Sequence, residues 1–552
     1  MGGVAGRRRP VASRLVVGRT ARVLARGEGG AVAESPGRNT MFRQLPVDMA
    51  LAPREVGRHR LRVVFRRADL VVLGLGVTIG AGIFSLAGQQ AATTAGPGVL
   101  LAFGIAAFAC LMAGLCYAEL SSMLPVAGSA YTFTYVIFGE VWGWMIGWAL
   151  LLELLLAVAV VARVWSQYFV ATLGDFGVEL PSGWGQFAGF DARRDLIAAG
   201  VIVLLVLVVI ASTRMSLVVL WVAVLAKLAV IGLVLVVGVL HVDADNFTPF
   251  LPAAQAAEPG ADASVLQSLA GETPDVFGVI GVFTAASVVF FAFLGFDIVA
   301  TAAEESRSPQ RDVPRGIIGT LGIATVLYLG VAAVLVGMRP YSELGGPAPV
   351  SEAFRAVGAD LSARLINLGA LLGLTTVIIV VLIGQSRVVY AMARDGLLPS
   401  QLAHVSSVGT PARATLLVGT AAVVLALTAP VLLLAEMVNI GTLFAFLFVA
   451  IGVLVLRRTR PDLERGFTVS FSPLVPTLAI LATSWMMINL RVVTWGYFAI
   501  WVAAGLLLYL LYGRQASRLG RLLGERKRHG GAHRARAVPA QVPRSAHKHA
   551  RR

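Results

Sequence analysis

Charge is scarce in this sequence: Asp, Glu, Lys and Arg make up 14% of 552 residues, against about 25% in an average soluble domain. So few ionic groups cannot clothe a water-exposed surface of this size, which argues against a soluble globular class. Lysine is scarcer still, and Lys227 is the only one before the C-terminal tail. Two cysteines, Cys110 and Cys116, lie in one apolar segment, where helical geometry turns them to different faces, so no disulfide or metal site is expected. All seven histidines (His59, His241, His404, His529, His533, His547 and His549) fall in tails or loops. That removes a buried His cluster for a metal or proton relay, and with it a membrane metalloenzyme; no cofactor is expected. The start of the chain also lacks the apolar run of a signal peptide.

What the chain has in excess is hydrophobic sequence, 57% of residues at a mean hydropathy of +0.80. A spanning helix needs about 20 apolar residues, and about twelve such runs occur between Leu70 and Tyr512. The runs predict spans near 68–92, 97–122, 134–170, 195–213 and 215–241. After an acidic loop they continue near 277–303, 314–338, 362–394, 411–428, 431–456, 474–490 and 493–513. The expected fold class is an all-α polytopic membrane protein with twelve transmembrane helices.

The formal charge of +16 is the one feature that points towards nucleic acid, and its location decides the matter. The segments 1–67 and 514–552 hold 27 of the 46 basic residues, so the charge lies in the tails and no nucleic-acid partner is expected. Residues 1–65 and 514–552 are expected as basic, disordered cytoplasmic tails, and Met41 offers a second plausible start. Short-loop basic residues set orientation. Arg214, then Arg307, Arg311 and Arg315, then Arg387 and Arg394, then Arg457, Arg458, Arg460 and Arg465 share one side, which is therefore cytoplasmic. The opposite loop from His241 to Asp275 carries six acids and neither Lys nor Arg. A multi-pass protein of the plasma membrane, embedded in the lipid bilayer with both termini inside, is the expectation; a monomer and a homodimer fit equally.

Two spans depart from a simple helix, at Gly80-Ala81-Gly82 in span 1 and at Phe293-Leu294-Gly295-Phe296-Asp297 in span 6. Each opens a block of five spans, and because five is odd the blocks have opposite topology. Interrupted helices at matching places in inverted halves mark a transporter binding site at the membrane midplane. The core is then 66–456, with repeats at about 68–241 and 277–456, and 457–513 adds two helices.

Local motifs sharpen this. Gly-Val-Thr-Ile-Gly-Ala-Gly-Ile-Phe (76–84), Ala-Gly-Pro-Gly (95–98), Leu-Cys-Tyr-Ala-Glu-Leu (115–120) and Pro-Val-Ala-Gly-Ser-Ala-Tyr (125–131) occur in order. They are followed by Phe-Phe-Ala-Phe-Leu-Gly-Phe-Asp (290–297), the stretch 304–317 and Arg-Val-Val-Tyr-Ala-Met-Ala-Arg-Asp-Gly-Leu-Leu-Pro (387–399). Over roughly 42–513 the chain resembles the amino acid–polyamine–organocation superfamily and, within it, the cationic amino acid transporter group. The resemblance implies a leucine-transporter-type fold of 5+5 inverted repeats plus two extra helices, and alternating access by a secondary active permease rather than an enzyme.

Each candidate residue carries a functional and a plain structural reading. Unwinding at Gly80 frees N–H groups at the start of a second half-helix, so Ile79, Gly80, Ala81, Gly82 and Ile83 are candidates for a substrate carboxylate; taken alone, the glycines read as helix packing. In span 6 the carbonyls of Phe290, Phe291 and Phe293 lose helical partners and suit an amine. One end for a carboxylate and one for an amine describe an α-amino acid. Phe293 reads as an aromatic gate by resemblance, or as core. Asp297 reads as an N-cap or as a contact for a cationic side chain.

Lys227 and Glu153 are intramembrane ionisable residues and so functional candidates by default. The resemblance puts Lys227 where sodium-dependent relatives bind a coupling ion. It implies bonds from its ammonium to span 1 carbonyls near Gly76 to Ile79 and to Thr375 or Thr376 of span 8. Proton coupling is the functional reading and a static cation the plain one, so protons join an amino acid as expected partners. Glu153 holds a cationic side chain, supports the site, or stays neutral and hydrogen-bonded. Glu119, Glu304 and Glu305 read as helix-end acids paired with Arg, or as a cytoplasmic gate; Glu140 has no assigned role. An amine or polyamine carrier, or an exchanger, is the second reading. A membrane enzyme or sensor lacks the catalytic cluster or soluble output domain it would need.

Overall fold

The computed structural model describes residues 41–51 and 65–523, except 127, 182–183, 185–186, 188–193, 212–216, 258–260 and 407–409. The expectations for 1–40, Arg214 and 524–552 lie outside the described residues. Within them the chain is mostly helical: α1 (Arg67–Thr78), α2 (Val99–Met123), α3 (Glu140–Asp175), α4 (Leu196–Ala211), α5 (Leu217–Gly238), α6 (Gly278–Val289), α7 (Pro309–Met338), α8 (Asp360–Arg394), α9 (Ala412–Thr428), α10 (Val431–Thr459), α11 (Leu474–Ile488) and α12 (Val492–Leu508), joined by short helical pieces. The loop before α6 adds a two-residue antiparallel strand pair, Gln255–Ala256 with Asp275–Val276.

Eight helical segments among the described residues are long and apolar enough to cross a membrane. α4, α9 and α11 have 16, 17 and 15 residues; at 1.5 Å per residue they fall short of a hydrocarbon core of about 30 Å. One of the eight runs from Gly82 to Met123 and contains parts of two expected spans. It is interrupted at Gly96-Pro97-Gly98, and its packing shows a reversal. Gly74 of α1 abuts Thr320 and Gly114 of α2 abuts Leu321, so both stand at one level of α7 on opposite sides of the interruption. The expected third span from 134 is divided too. Gly139, at φ 102°, ends a separate helix Ser129–Phe138 and starts α3 at Glu140.

Helix packing uses small residues. Gly369 of α8 meets Val230 of α5, and Gly419 of α9 meets Val206 of α4, which lets backbones approach where lipid provides no hydrophobic drive between helices. The outward faces stay apolar: Leu204, Leu207, Val222, Leu225, Ile500 and Leu507 are all exposed. A belt of that chemistry suits lipid contact.

Buried carboxylates secure the helix ends. Glu119 pairs with Arg457 and accepts from the Val469 amide at 2.7 Å, and Glu305 lies 2.6 Å from Arg387, as the helix-end reading expects. Glu140 accepts from Arg43 at 2.8 and 2.9 Å, Tyr135 at 2.7 Å, Tyr509 at 3.0 Å and Ser517 at 2.5 Å. It therefore ties segments before α1 and after α12 to the start of α3. Within 514–523, expected as the start of a C-terminal tail, Ser517 is held by this carboxylate and Leu519 is buried. At the other end of α3, Asp175 takes Arg355 at 2.6 Å and Asn367 at 2.7 Å.

Candidate functional site

α1 stops because Ile79 turns extended, at φ −73° and ψ 93°. Helical conformation resumes at Ala81 and continues as a wide turn over Gly82–Leu86, whose first N–H groups have no acceptor within a helix. α6 ends in a tight turn over Phe290–Phe293, after which Leu294 is extended at ψ 146° and Gly295 adopts φ +105°. Only glycine adopts that conformation without strain.

The two interruptions touch. A Cβ at Gly82 would collide with the Ala292 backbone, and one at Gly295 would collide with the Val77 side chain. Ile79, Ala81, Ile83, Phe290, Phe291 and Phe293 are all buried, and Gly80 faces Val377 of α8. The N–H end of one half-helix thus adjoins the carbonyl end of the other. Positive and negative ends of helix dipoles converge on one small region.

Three polar side chains that sequence reading did not single out hold this region. The Tyr328 hydroxyl of α7 lies 2.6 Å from the Thr78 carbonyl oxygen and 2.9 Å from that of Ala292. Asn439 of α10 donates to the Ser287 and Val288 carbonyls at 2.7 and 3.1 Å, and Tyr168 of α3 donates to Phe84 at 2.6 Å. All three are uncharged polar groups inside apolar runs, and that was the available signal.

Lys227 of α5 donates to the Gly76 and Ile79 carbonyls at 2.6 and 3.1 Å. It thereby takes up acceptors that α1 leaves open where it ends. The expected bond to Thr375 or Thr376 is not made. Thr375 accepts from Trp165 at 2.9 Å and donates to Leu371, while Thr376 donates to Gly373 at 2.7 Å. A helix's own carbonyls lie within reach of its threonine hydroxyls, and Gly373, lacking a side chain, gives the Lys227 stem its room.

Phe293 packs its ring 5.1 Å from Tyr328 and 6.4 Å from Phe103, the arrangement of a core aromatic. Asp297 stands at the N-cap of the short helix Ile298–Thr301, yet its side chain makes no capping bond. Glu153 lies buried on α3 opposite Gly441 of α10, with its Oε2 unpartnered. Among the described residues, the two interruptions bring together backbone N–H groups and carbonyl oxygens rather than a nucleophile and a general base.

The chain is similar to known membrane transporters. A family model described as amino acid permease matches residues 66–511. The methylthioribose transporter of Bacillus subtilis (strain 168) is 40% identical over 490 residues, 88% of this chain and 100% of that protein. The branched-chain amino acid permease BcaP of the same organism is 39% identical over 492 residues, 87% and 99% of the two chains. Cationic amino acid transporter 1 of Arabidopsis thaliana is 32% identical over 431 residues, 77% and 68% of the two chains.

Proposed function

The chain belongs to the amino acid permease family, a family of membrane transporters and not enzymes, and on that premise we propose that it is a secondary active, sodium-independent permease for an α-amino acid. The amino-acid carboxylate binds the N–H groups of Gly80 to Ile83, and the amine binds the carbonyls of Phe290, Phe291 and Phe293; Ile79, expected among the donors, has its N–H held by the Leu75 carbonyl at 3.0 Å because it still closes the last turn of α1. The observation that carries this reading is the direct contact of the two interruptions, Gly82 on Ala292 and Gly295 on Val77. Only an adjacent pair of opposite dipole ends matches both ends of a zwitterion.

The permease has twelve spans in this reading, with inverted repeats in 66–456, spans 11 and 12 in 457–513, and both termini inside the plasma membrane. Division of Gly82–Met123 between two spans, the first shared with α1, and the short α4, α9 and α11 complete the count, supported by the Arg-rich end that gathers Arg387, Arg457 and Arg465. Protons drive transport through Lys227, whose ammonium holds the end of α1 by two carbonyls. Loss of its proton removes that grip and frees the interruption to move.

Purified chain in liposomes tests the reading. Uptake of labelled leucine or lysine, with competition by unlabelled amino acids, is the expected result. Displacement by putrescine or methylthioribose but by no amino acid overturns it, since the carboxylate end would then be idle. The methylthioribose transporter relative makes that sugar a necessary member of the panel.

A further inference from the structure

The last apolar segment runs from Val492 to Ala516. At 1.5 Å per residue its 25 residues outreach a hydrocarbon core of about 30 Å, so its final turn enters the headgroup layer. Arg514 stands in that turn and Arg518 and Arg521 follow it, all three exposed. Leu511, Tyr512 and Leu522 are exposed beside them, at 67%, 37% and 36%. Between Arg465 and Gly524 the chain has no Asp or Glu, and beyond Gly524 it adds nine Lys or Arg against Glu525 alone. The acids packed against this strip have other partners: Glu140 takes Arg43, Tyr135, Tyr509 and Ser517, and Asp395 accepts from Tyr131 at 2.9 Å.

The strip is held in place by bonds to three elements. Ser517 leaves the helix at ψ 126°, and its hydroxyl donates to Glu140 of α3 at 2.5 Å. The Arg518 amide donates to the Asp395 carbonyl, just past α8, at 2.9 Å. Gly396, at φ +81°, stands where a Cβ would strike the Ala516 carbonyl oxygen, and Arg43 donates to the Arg514 carbonyl at 3.0 Å. These contacts bury Leu519 and leave Arg518, Arg521 and Leu522 exposed. Arg521 spends one N–H on the Ala516 carbonyl at 2.5 Å, and a guanidinium has five. Leu511, Tyr512, Gln515, Ala516 and Arg521 line an open recess of about 370 Å³, apolar on one wall and basic on the other.

We propose that residues 511–523 are a docking surface for an anionic phospholipid, its phosphate held by Arg518 and Arg521 and the upper part of its acyl chains lying on Leu511 and Tyr512. Charge complementarity and position select this occupant. A basic face turned only to water needs no apolar side chains among its arginines, whereas a lipid has an anionic head and a chain to match both. The proposal rests on the placement of α12 in the membrane and not on which substrate the permease carries. Because the strip is already ordered by its bonds to α3 and to the end of α8, little ordering opposes binding. A lipid seated there adds an anchor to a segment on which those two helices are joined.

Full-length protein in an uncharged detergent is titrated with short-chain phosphatidylglycerol, with phosphatidylcholine of the same chain length and with glycerol phosphate, while the thermal midpoint is followed. A ligand of the folded state raises that midpoint. Phosphatidylglycerol is expected to raise it, and the other two to leave it in place. The double variant Arg518→Gln with Arg521→Gln should bind phosphatidylglycerol roughly tenfold more weakly or worse. Arg551→Gln with Arg552→Gln removes the same charge from the end of the chain and should bind as the parent does. Midpoints in lipid-free detergent check that both double variants fold. No shift by phosphatidylglycerol, an equal shift by phosphatidylcholine or by glycerol phosphate, parent-level binding in the Arg518 and Arg521 variant, or equal losses in the two variants overturns the proposal.

Discussion

The Tyr328 hydroxyl stands 2.6 Å from the Thr78 carbonyl oxygen while the same atom lies 2.9 Å from that of Ala292, so one phenol from α7 spans both helix interruptions. A single proton serves two acceptors there, and the interruptions are held as one unit. Tyr328→Phe keeps the ring against Phe293 and Phe103 and removes only that bridge. Leaving buried carbonyls unsatisfied costs about 1–3 kcal/mol. The expected outcome is a lower unfolding temperature together with a raised KM for uptake; an unchanged KM would show that the bridge does not shape the site.

Lys227→Met preserves the stem beside Gly373 and deletes two bonds to α1. Hydrogen bonds to a charged group contribute about 1.5–3 kcal/mol, so apparent substrate affinity is expected to fall roughly tenfold or more. In liposomes the variant should no longer accumulate substrate on an imposed proton gradient. Accumulation at the parent level would refute coupling through Lys227.

Glu140→Gln leaves Arg43 without its carboxylate and weakens the acceptor of Tyr135, Tyr509 and Ser517. Breaking a buried pair costs on the order of 3–5 kcal/mol. Limited proteolysis is expected to cut near residues 514–523 much faster than in the parent, because these residues lose their anchor. Equal cutting rates would place the anchor elsewhere.

Gly295→Ala puts a side chain on backbone at φ +105° and against Val77. Strain of about 1–3 kcal/mol and separation of the two interruptions should both follow. Loss of uptake beyond any loss of folded protein, quantified by size-exclusion chromatography, is the expected result; parent-level uptake per folded molecule counts against the touching arrangement.

Burial raises the Glu305 carboxyl above the ordinary glutamate range, and Arg387 opposes that shift. In Arg387→Gln the opposition is gone, so the folded chain keeps the Glu305 proton at pH values where the unfolded chain has released it. The folded state then binds more protons, and its stability falls as pH rises above the ordinary glutamate range. Thermal midpoints of variant and parent should diverge on going from about pH 5 to about pH 8; a constant gap would argue against the assignment.

Much of the architecture was legible because it is written in local composition. Runs such as 97–122 and 431–456 were placed to within a few residues of α2 and α10, since an apolar helix in lipid must satisfy its own backbone. The third span was misplaced at its start because Gly139 is read as loop or helix only once its conformation is known. Lys227 was singled out as a lone buried lysine and its carbonyl partners by resemblance. Thr375 and Thr376 misled because a hydroxyl's choice between its own helix and a neighbouring side chain is a matter of geometry.

The sequence by itself determined that the chain is a membrane protein and where two of its helices break, because hydropathy and glycine act over a few residues. Only the tertiary structure decided what meets across the breaks: Gly82 on Ala292, Gly295 on Val77 and Tyr328 on two carbonyls. Those pairings join residues tens to hundreds of positions apart. Their cause is close packing of whole helices, which fixes distances that no local pattern encodes.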